Sequence, residues 1–258
     1  MTIDFHSVDN RGTYATRTAD ATWAETMLGI VDPTGRTVAD IGCGGGIYSR
    51  AWSEIGAARV IGVDFSAQMI EDAKDASRDY PELWFARGDA ADTGLRCGSV
   101  DIVFARALVH HLDSPAAMVR EAYRVLRPGG SLIIQDRTVE DVLQPASPTH
   151  LRAYFFERYP RLLETERQRR PATETVTAAM EAAGFRDVNT MPLAEPRRCY
   201  ASCDELRQDI LGRTGRSILH ALDDDELHDL ASYVTSKVSH ALPLEEVDHW
   251  TIWTATRP

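Results

Sequence analysis

The chain has 258 residues, 43% apolar and 26% charged, with Lys+Arg 28 set against Asp+Glu 39. That length and balance suit one globular domain with an elaboration and argue against wholesale disorder. The formal charge of −11 repels a phosphate backbone, which excludes nucleic acid as the expected partner, and no apolar run approaches the roughly 20 residues that cross a bilayer. Four cysteines without disulfide-scaffold spacing, and an N-terminus lacking a basic and then an apolar region, point to the cytoplasm.

In chain order, Val38–Ile41 reads as a strand and Gly45–Ile55 as a helix. Val60–Asp64 is a second strand, and Ser66 is the N-cap of a helix running to about Asp79. Leu83–Ala86 and Val100–Phe104 are the third and fourth strands. Ser114-Pro115 opens a helix to Leu126, stopped by Arg127-Pro128-Gly129-Gly130, and Leu132–Ile134 is the fifth strand. Strands apolar on both faces and linked by helices predict an α/β doubly wound, mostly parallel sheet with right-handed crossovers.

The alternation breaks from about 137 to 170, resumes with a helix near Thr173–Ala183 and a sixth strand near Val188, and breaks again over about 202–240. A last strand covers Trp250–Ala255. The expected layout is an N-terminal helical lid (1–35) and a main domain (36–258) whose two inserts form a substrate cap. Within the first insert, Tyr154, Phe155, Phe156 and Tyr159 read first as packing and second as pocket lining, and His150 is a further candidate. Arg158, Arg161, Arg167, Arg169 and Arg170 read as a solvated helix face neutralised by Glu157, Glu164 and Glu166.

The turn Asp40-Ile41-Gly42-Cys43-Gly44-Gly45-Gly46 follows a strand and opens a helix, so its backbone can approach a ligand closely. Eighteen residues beyond Gly46, Asp64 ends the second strand, where a carboxylate can accept ribose hydroxyls. The glycine spacing fails the G-x-G-x-x-G pattern of nicotinamide cofactors, since Ile47 and Ser49 occupy the third positions. Asp40 repels a pyrophosphate and suits an ammonium group, which favours an amino-acid-bearing nucleoside.

With these residues in register, the chain resembles the class I S-adenosylmethionine-dependent methyltransferases, in particular the small-molecule, type 11/25-like branch carrying D-x-G-C-G-x-G. The resemblance covers about residues 36–136, including Gly88-Asp89-Ala90, Ser99–Leu112 and Leu126-Arg127-Pro128-Gly129-Gly130. It implies a seven-stranded sheet whose last strand is antiparallel, and S-adenosylmethionine as cofactor, released as S-adenosylhomocysteine. By position it places Gly42 and Gly44 at the methionine portion, with Asp40 and Cys43 also at the cofactor, Asp64 at the ribose, and Asp89 with Ala90 at the adenine edge. Phe65 and Met69 would pack on the base, Arg106 would contact the methionyl part, and Tyr14 and Arg17 fall in a covering segment.

Methyl transfer from a sulfonium is an in-line displacement, so a proton acceptor is the only catalytic side chain to seek. His110 and His111 follow the fourth strand and suit that task near neutral pH, and Asp136 at the end of the fifth strand is a comparable candidate. The acceptor is expected to be a small molecule, methylated at oxygen, nitrogen or carbon, and the protein a monomer or homodimer without a bound metal. One alternative is arsenite-type chemistry at Cys199 and Cys203, one helical turn apart; another is a non-catalytic protein binding S-adenosylmethionine or a nicotinamide cofactor.

Overall fold

A computed structural model describes residues 19–258. Its sheet has seven strands: β1 (Thr37–Ile41), β2 (Arg59–Asp64), β3 (Leu83–Arg87), β4 (Val100–Arg106), β5 (Leu126–Asp136), β6 (Arg186–Tyr200) and β7 (Leu244–Thr256). Their order is β3-β2-β1-β4-β5-β7-β6, parallel throughout except for β7, which runs antiparallel to both neighbours. The expected doubly wound α/β sheet with an antiparallel last strand is what the chain forms. The order reverses between β1 and β4, and such a switch leaves a crevice at the strands' carboxyl ends.

Alternate side chains of the strands feed two cores. Ala39, Ile41, Val103, Ala105, Leu132, Ile134 and Trp253 face Met118, Val119 and Ala122 of α4 (Pro115–Val125) and Val176 and Met180 of α8 (Thr173–Ala182). On the other face, Val38, Ile102, Phe104, Ile133 and Ile252 meet Trp23 and Met27 of α1 (Ala21–Ile30) and Ala51 and Trp52 of α2 (Ile47–Glu54). Trp23, Trp52 and Phe104 stack edge to face with centroids 5.4–5.7 Å apart. Truncating one such ring to alanine costs about 3–5 kcal/mol.

Ser66 caps α3 (Ala67–Ala76) through Met69 N, and Ser114 caps α4 with Pro115 in its first turn, as the sequence suggests. Several boundaries differ: β5 starts at Leu126, taking in the residues expected to stop the preceding helix, and β7 starts at Leu244. Helix α2 begins at Ile47 because Gly46 is left-handed, at φ 76°, and cannot join it. Helix α3 ends at Ala76, where the Ser77 amide tightens onto Lys74 O. Strand β6 is much longer than expected and runs through Pro192 and Pro196, which a sheet edge tolerates because the missing N–H groups face no partner strand.

Beyond the end of β5, β6 and β7 continue together as a two-stranded ribbon, pairing as far as Tyr200↔Leu244. Around it pack α5 (Val139–Val142), α6 (Arg152–Arg158) and α7 (Pro160–Arg169) from one stretch, and α9 (Cys203–Leu211) and α10 (Asp224–Val238) from another. Together they hold a third apolar cluster including Phe155, Leu162, Leu206, Ile210, Leu230 and Val234. Beside it, Arg216 and Asp209 form a buried pair that also engages Arg197, Tyr200 and Glu246. Among the described residues, no helix is long and apolar enough to cross a membrane.

Candidate active site

The glycine turn is fastened to β2: Gly42 N and Cys43 N both donate to Val63 O, at 2.7 and 3.1 Å. Gly42 and Gly44 have φ of 74° and 50°, a conformation most side chains resist. A Cβ on Gly42 would lie 3.0 Å from Leu108, whereas beside Gly44 and Gly45 it would meet nothing within 4 Å. The turn is therefore clamped on its inner side and open on its outer side. Asp64 reaches across to it, accepting from Gly44 N at 3.0 Å and Ser66 N at 2.9 Å.

That open side forms a cavity of about 460 Å³ at the carboxyl ends of β1, β2 and β4. All the described residues expected at the cofactor line it, from Asp40 and the glycine turn through Asp64, Phe65 and Met69 to Asp89, Ala90 and Arg106. Tyr14 and Arg17 lie outside the described residues. Asp89 shapes its own turn, accepting from Ala91 N at 2.8 Å.

Asp40 is buried and accepts from Ser49 Oγ at 2.6 Å. Burial pushes its carboxyl up to about 7, with the Asp64 charge adding to the rise and the Ser49 bond and Arg106 opposing it. A ligand ammonium would stabilise the ionised form, so the site fits the methionine portion of S-adenosylmethionine. The same burial raises the Cys43 thiol well above its usual value, which removes it as a nucleophile.

Arg106 pairs with Glu195 of β6 at 2.9 Å, not with Asp101, which holds Arg127. Its guanidinium is sandwiched between Tyr48 and Trp250, 4.1 Å from each ring centroid. Glu195 also accepts from Tyr48 Oη and Gln135 Nε2, so one buried carboxylate ties the cavity wall to two strands and a helix. The Arg106 Nε is buried without a hydrogen-bond partner, in a residue that lines the cavity.

His110 and His111 sit in a short turn after β4 and line the same cavity, their rings 4.0 Å apart. His110 Nδ1 lies 2.8 Å from Asp136 Oδ1, and the His110 amide donates to Oδ2 at 3.1 Å. Asp136 is fully buried and also accepts from Arg137 N and Arg170 Nη1, which with His110 hold its carboxyl well below the usual range. Burial lowers the His110 imidazole to about 3; Asp136 pulls the other way, and Arg170 and His111 add to the fall. The ring is neutral at pH 7.

The first insert contributes more than its sequence suggests. Arg158 and Arg161 are surface residues paired with Asp229 and Glu226, but Arg170 is buried against Glu166 and Asp136. The solvated-face reading fails at that residue because the helix ends against the cavity. Arg137, Arg152, Arg170 and Trp250 line the cavity, as does Ser217 of the second insert. No spacing rule marks them, since they converge from five separate parts of the chain. Phe155 and Phe156 are buried in the third apolar cluster, with Tyr154 and Tyr159 packed on it, and His150 stacks near His249. Cys199 is exposed beside Glu245, and neither it nor Cys203 lines the cavity. Among the described residues, no group of three or more His, Cys, Asp or Glu could hold a metal ion.

Residues 39–134 match the family model described as methyltransferase domain. The chain is 32% identical over 109 residues to 2-methyl-6-phytyl-1,4-hydroquinone methyltransferase of Synechocystis, covering 42% of this chain and 34% of that one. Among solved structures, an Anabaena variabilis protein assigned as a methyltransferase of an antibiotic biosynthesis pathway superposes with a TM-score of 0.72 at 22% identity, covering 93% and 98% of the two chains. A Haemonchus contortus phosphoethanolamine N-methyltransferase in complex with S-adenosylhomocysteine superposes with a TM-score of 0.62 at 18% identity, covering 99% and 61%. These two likenesses establish the fold alone. The chain spans 36% and 56% of the length of the first two curated relatives it matches. With its motifs in order around one cavity, the region 39–134 is a methyltransferase domain similar to those of the class I S-adenosylmethionine-dependent enzymes, whose cofactor is S-adenosylmethionine.

Proposed function

We propose that this protein transfers a methyl group from S-adenosylmethionine to a small-molecule acceptor bound beside His110, beneath a cap formed by the two inserts. The observation that carries this reading is the single cavity joining the glycine turn and Asp64 to the His110 ring and to insert residues Arg152 and Ser217. The acceptor's nucleophilic atom is an oxygen, nitrogen or carbon. The net charge of −11 favours a small molecule over nucleic acid. A cytoplasmic monomer or homodimer completes the reading; of the expected lid segment 1–35, residues 1–18 lie outside the described residues and α1 packs on the sheet through Trp23 and Met27, away from the cavity lining.

Asp40 would hold the cofactor's ammonium, Asp64 its ribose hydroxyls, and Asp89 with the Ala90 amide the adenine edge, with Phe65 and Met69 against the base. When bound, S-adenosylmethionine supplies an electrophilic methyl carbon on a good leaving group. The protein's tasks are then alignment, exclusion of water and proton removal. An ionised Asp136 only accepts, so His110 Nδ1 carries the proton and Nε2 is left as the base. Asp136 is a positioning residue, and His111 is a second imidazole at the cavity.

Incubation with methyl-labelled cofactor and a metabolite extract, followed by identification of the labelled product, tests the reading. A labelled small molecule that disappears with His110→Ala supports it. Labelled RNA or protein in place of a small molecule, or no labelled product from a folded, cofactor-binding protein, overturns it.

A further inference from the structure

The guanidinium groups at the cap end of the cavity are unequally supplied with counter-charge. Arg170 donates from Nε to Glu166 Oε2 at 2.5 Å and from Nη1 to Asp136 Oδ1 at 3.2 Å. Arg137 pairs with Asp248 at 2.6 Å and lies 3.8 Å over the Trp250 ring. Arg152, 6% exposed, touches a carboxylate only through Nη1, at 3.3 Å from Glu166 Oε1. Glu166 is itself shared with Arg169 and Arg170.

Among the described residues, three guanidiniums, those of Arg152, Arg169 and Arg170, thus share two carboxylates, those of Glu166 and Asp136. Asp136 also serves His110. Burying a cation short of counter-charge is unfavourable, and a guanidinium otherwise stays protonated at any ordinary pH. Here burial and the Arg137 charge push Arg152 down to about 9, against the pull of Glu166 and Asp248. The missing partner is an anion, and Arg152 lines the cavity where one would enter.

We propose that Arg152, flanked by Arg137 and Arg170 and with Ser217 of the second insert lining the same cavity, receives an oxyanion carried by the methyl acceptor, a carboxylate or a phosphate. A planar guanidinium offers paired N–H donors to two oxygens of such a group, and the hydroxyl supplies a neutral donor. The proposal rests on the methyl-transfer reading, but its site is separable from the chemistry. The anion fixes which end of the acceptor lies under the cap and which faces His110.

The test uses the full chain loaded with S-adenosylhomocysteine, titrated calorimetrically with inorganic phosphate and separately with succinate at constant ionic strength. At least one anion is expected to bind wild type and the surface variant Arg158→Gln, and to bind Arg152→Gln roughly tenfold to hundredfold more weakly. Phosphate alone indicates a phosphorylated acceptor, and succinate alone a carboxylate. Glu166 keeps Arg169 and Arg170 in Arg152→Gln, so the fold is retained; Arg152→Lys, with charge but no paired donors, is expected to fall between the two and decides the matter if Arg152→Gln does not fold. Absence of binding by both anions, or equal binding by the variants, overturns the proposal. So does a loss of S-adenosylhomocysteine affinity in Arg152→Gln, which would place the guanidinium on the cofactor's carboxylate. Anion binding without methyl transfer to any acceptor would overturn the proposed function and leave this site standing.

Discussion

His110 and Asp136 make a two-point contact: the Asp136 carboxylate takes the ring Nδ1 at 2.8 Å and the backbone amide of the same residue at 3.1 Å. Ring and chain are thereby fixed together at the cavity wall. His110→Ala is expected to lower turnover by about 10²–10⁴-fold, the usual range for a positioned base, without changing S-adenosylhomocysteine affinity. Asp136→Asn reverses a donor and acceptor, so turnover falls comparably, and loss of the buried charge beside Arg170 destabilises the fold by about 3–5 kcal/mol. Unchanged turnover in His110→Ala would leave alignment alone as the mechanism.

The depressed His110 value sets a pH signature. Since the ring is already neutral, turnover should stay level from pH 8 down to about 5, without the limb near 6.5 that an ordinary histidine base gives. Stability behaves differently. Between about 3 and 6.5 the unfolded chain binds a proton at His110 that the native state does not. Stability from this group is therefore complete above 6.5 and is lost as pH falls through that window, and Asp136, held below its usual range, adds loss in the same direction lower down. Melting followed from pH 8 to 4 should show the decline, and His110→Ala should flatten its upper part.

Asp40 is expected to couple cofactor binding to protons. With its carboxyl near 7 in the free protein, binding an ammonium requires ionisation, so S-adenosylhomocysteine affinity should rise roughly tenfold between pH 6 and 8 and then level off. Calorimetry in buffers of different ionisation enthalpy would register the proton released near pH 6. Asp40→Asn should bind weakly with no such dependence; an unchanged pH profile would remove Asp40 from the ammonium.

Asp64 does two jobs at one carboxylate, bracing the glycine turn through Gly44 N and offering oxygen to the cavity. Asp64→Ala should weaken S-adenosylhomocysteine by roughly tenfold to hundredfold, from the loss of charge-assisted bonds. Full affinity in that variant would mean the ribose lies elsewhere.

Asp209 is the shared carboxylate of the buried cap network, accepting from Tyr200 Oη at 2.8 Å and Arg197 at 3.0 Å, and pairing with Arg216. Asp209→Ala leaves two buried guanidiniums on Glu246 alone, a loss of about 3–5 kcal/mol and a fall in Tm on the order of ten degrees. Scanning calorimetry measures it directly. A fall of a degree or less would show that the network contributes little.

The glycine-turn end of the cavity was legible because its residues lie at strand ends and in one turn, where local pattern and position coincide: Asp40, Gly42, Gly44, Asp64 and Asp89 all reach one cavity. The cap end was not. Arg137, Arg152, Arg170 and Ser217 come from separate elements and meet through tertiary packing, which carries no periodic signal. Arg170 was misleading for a related reason: Arg158, Arg161 and Arg167 earlier in the stretch are exposed, and only the end of α7 turns inward. The length of β6 was hidden by Pro192 and Pro196, which read as breaks until the strand is known to be an edge.

The third apolar cluster, built on the ribbon of β6 and β7 and drawing nothing from β1 to β5, has a further consequence. The match to the family model ends at residue 134, just before the first of the helices that build this body. Because the two halves fill separate interiors, a substitution inside one leaves the packing of the other untouched. The cap can therefore drift, or be exchanged between relatives, while the glycine-turn domain stays recognisable, and a search for the proposed acceptor should follow the lineage of the ribbon and its helices instead of that of the glycine turn.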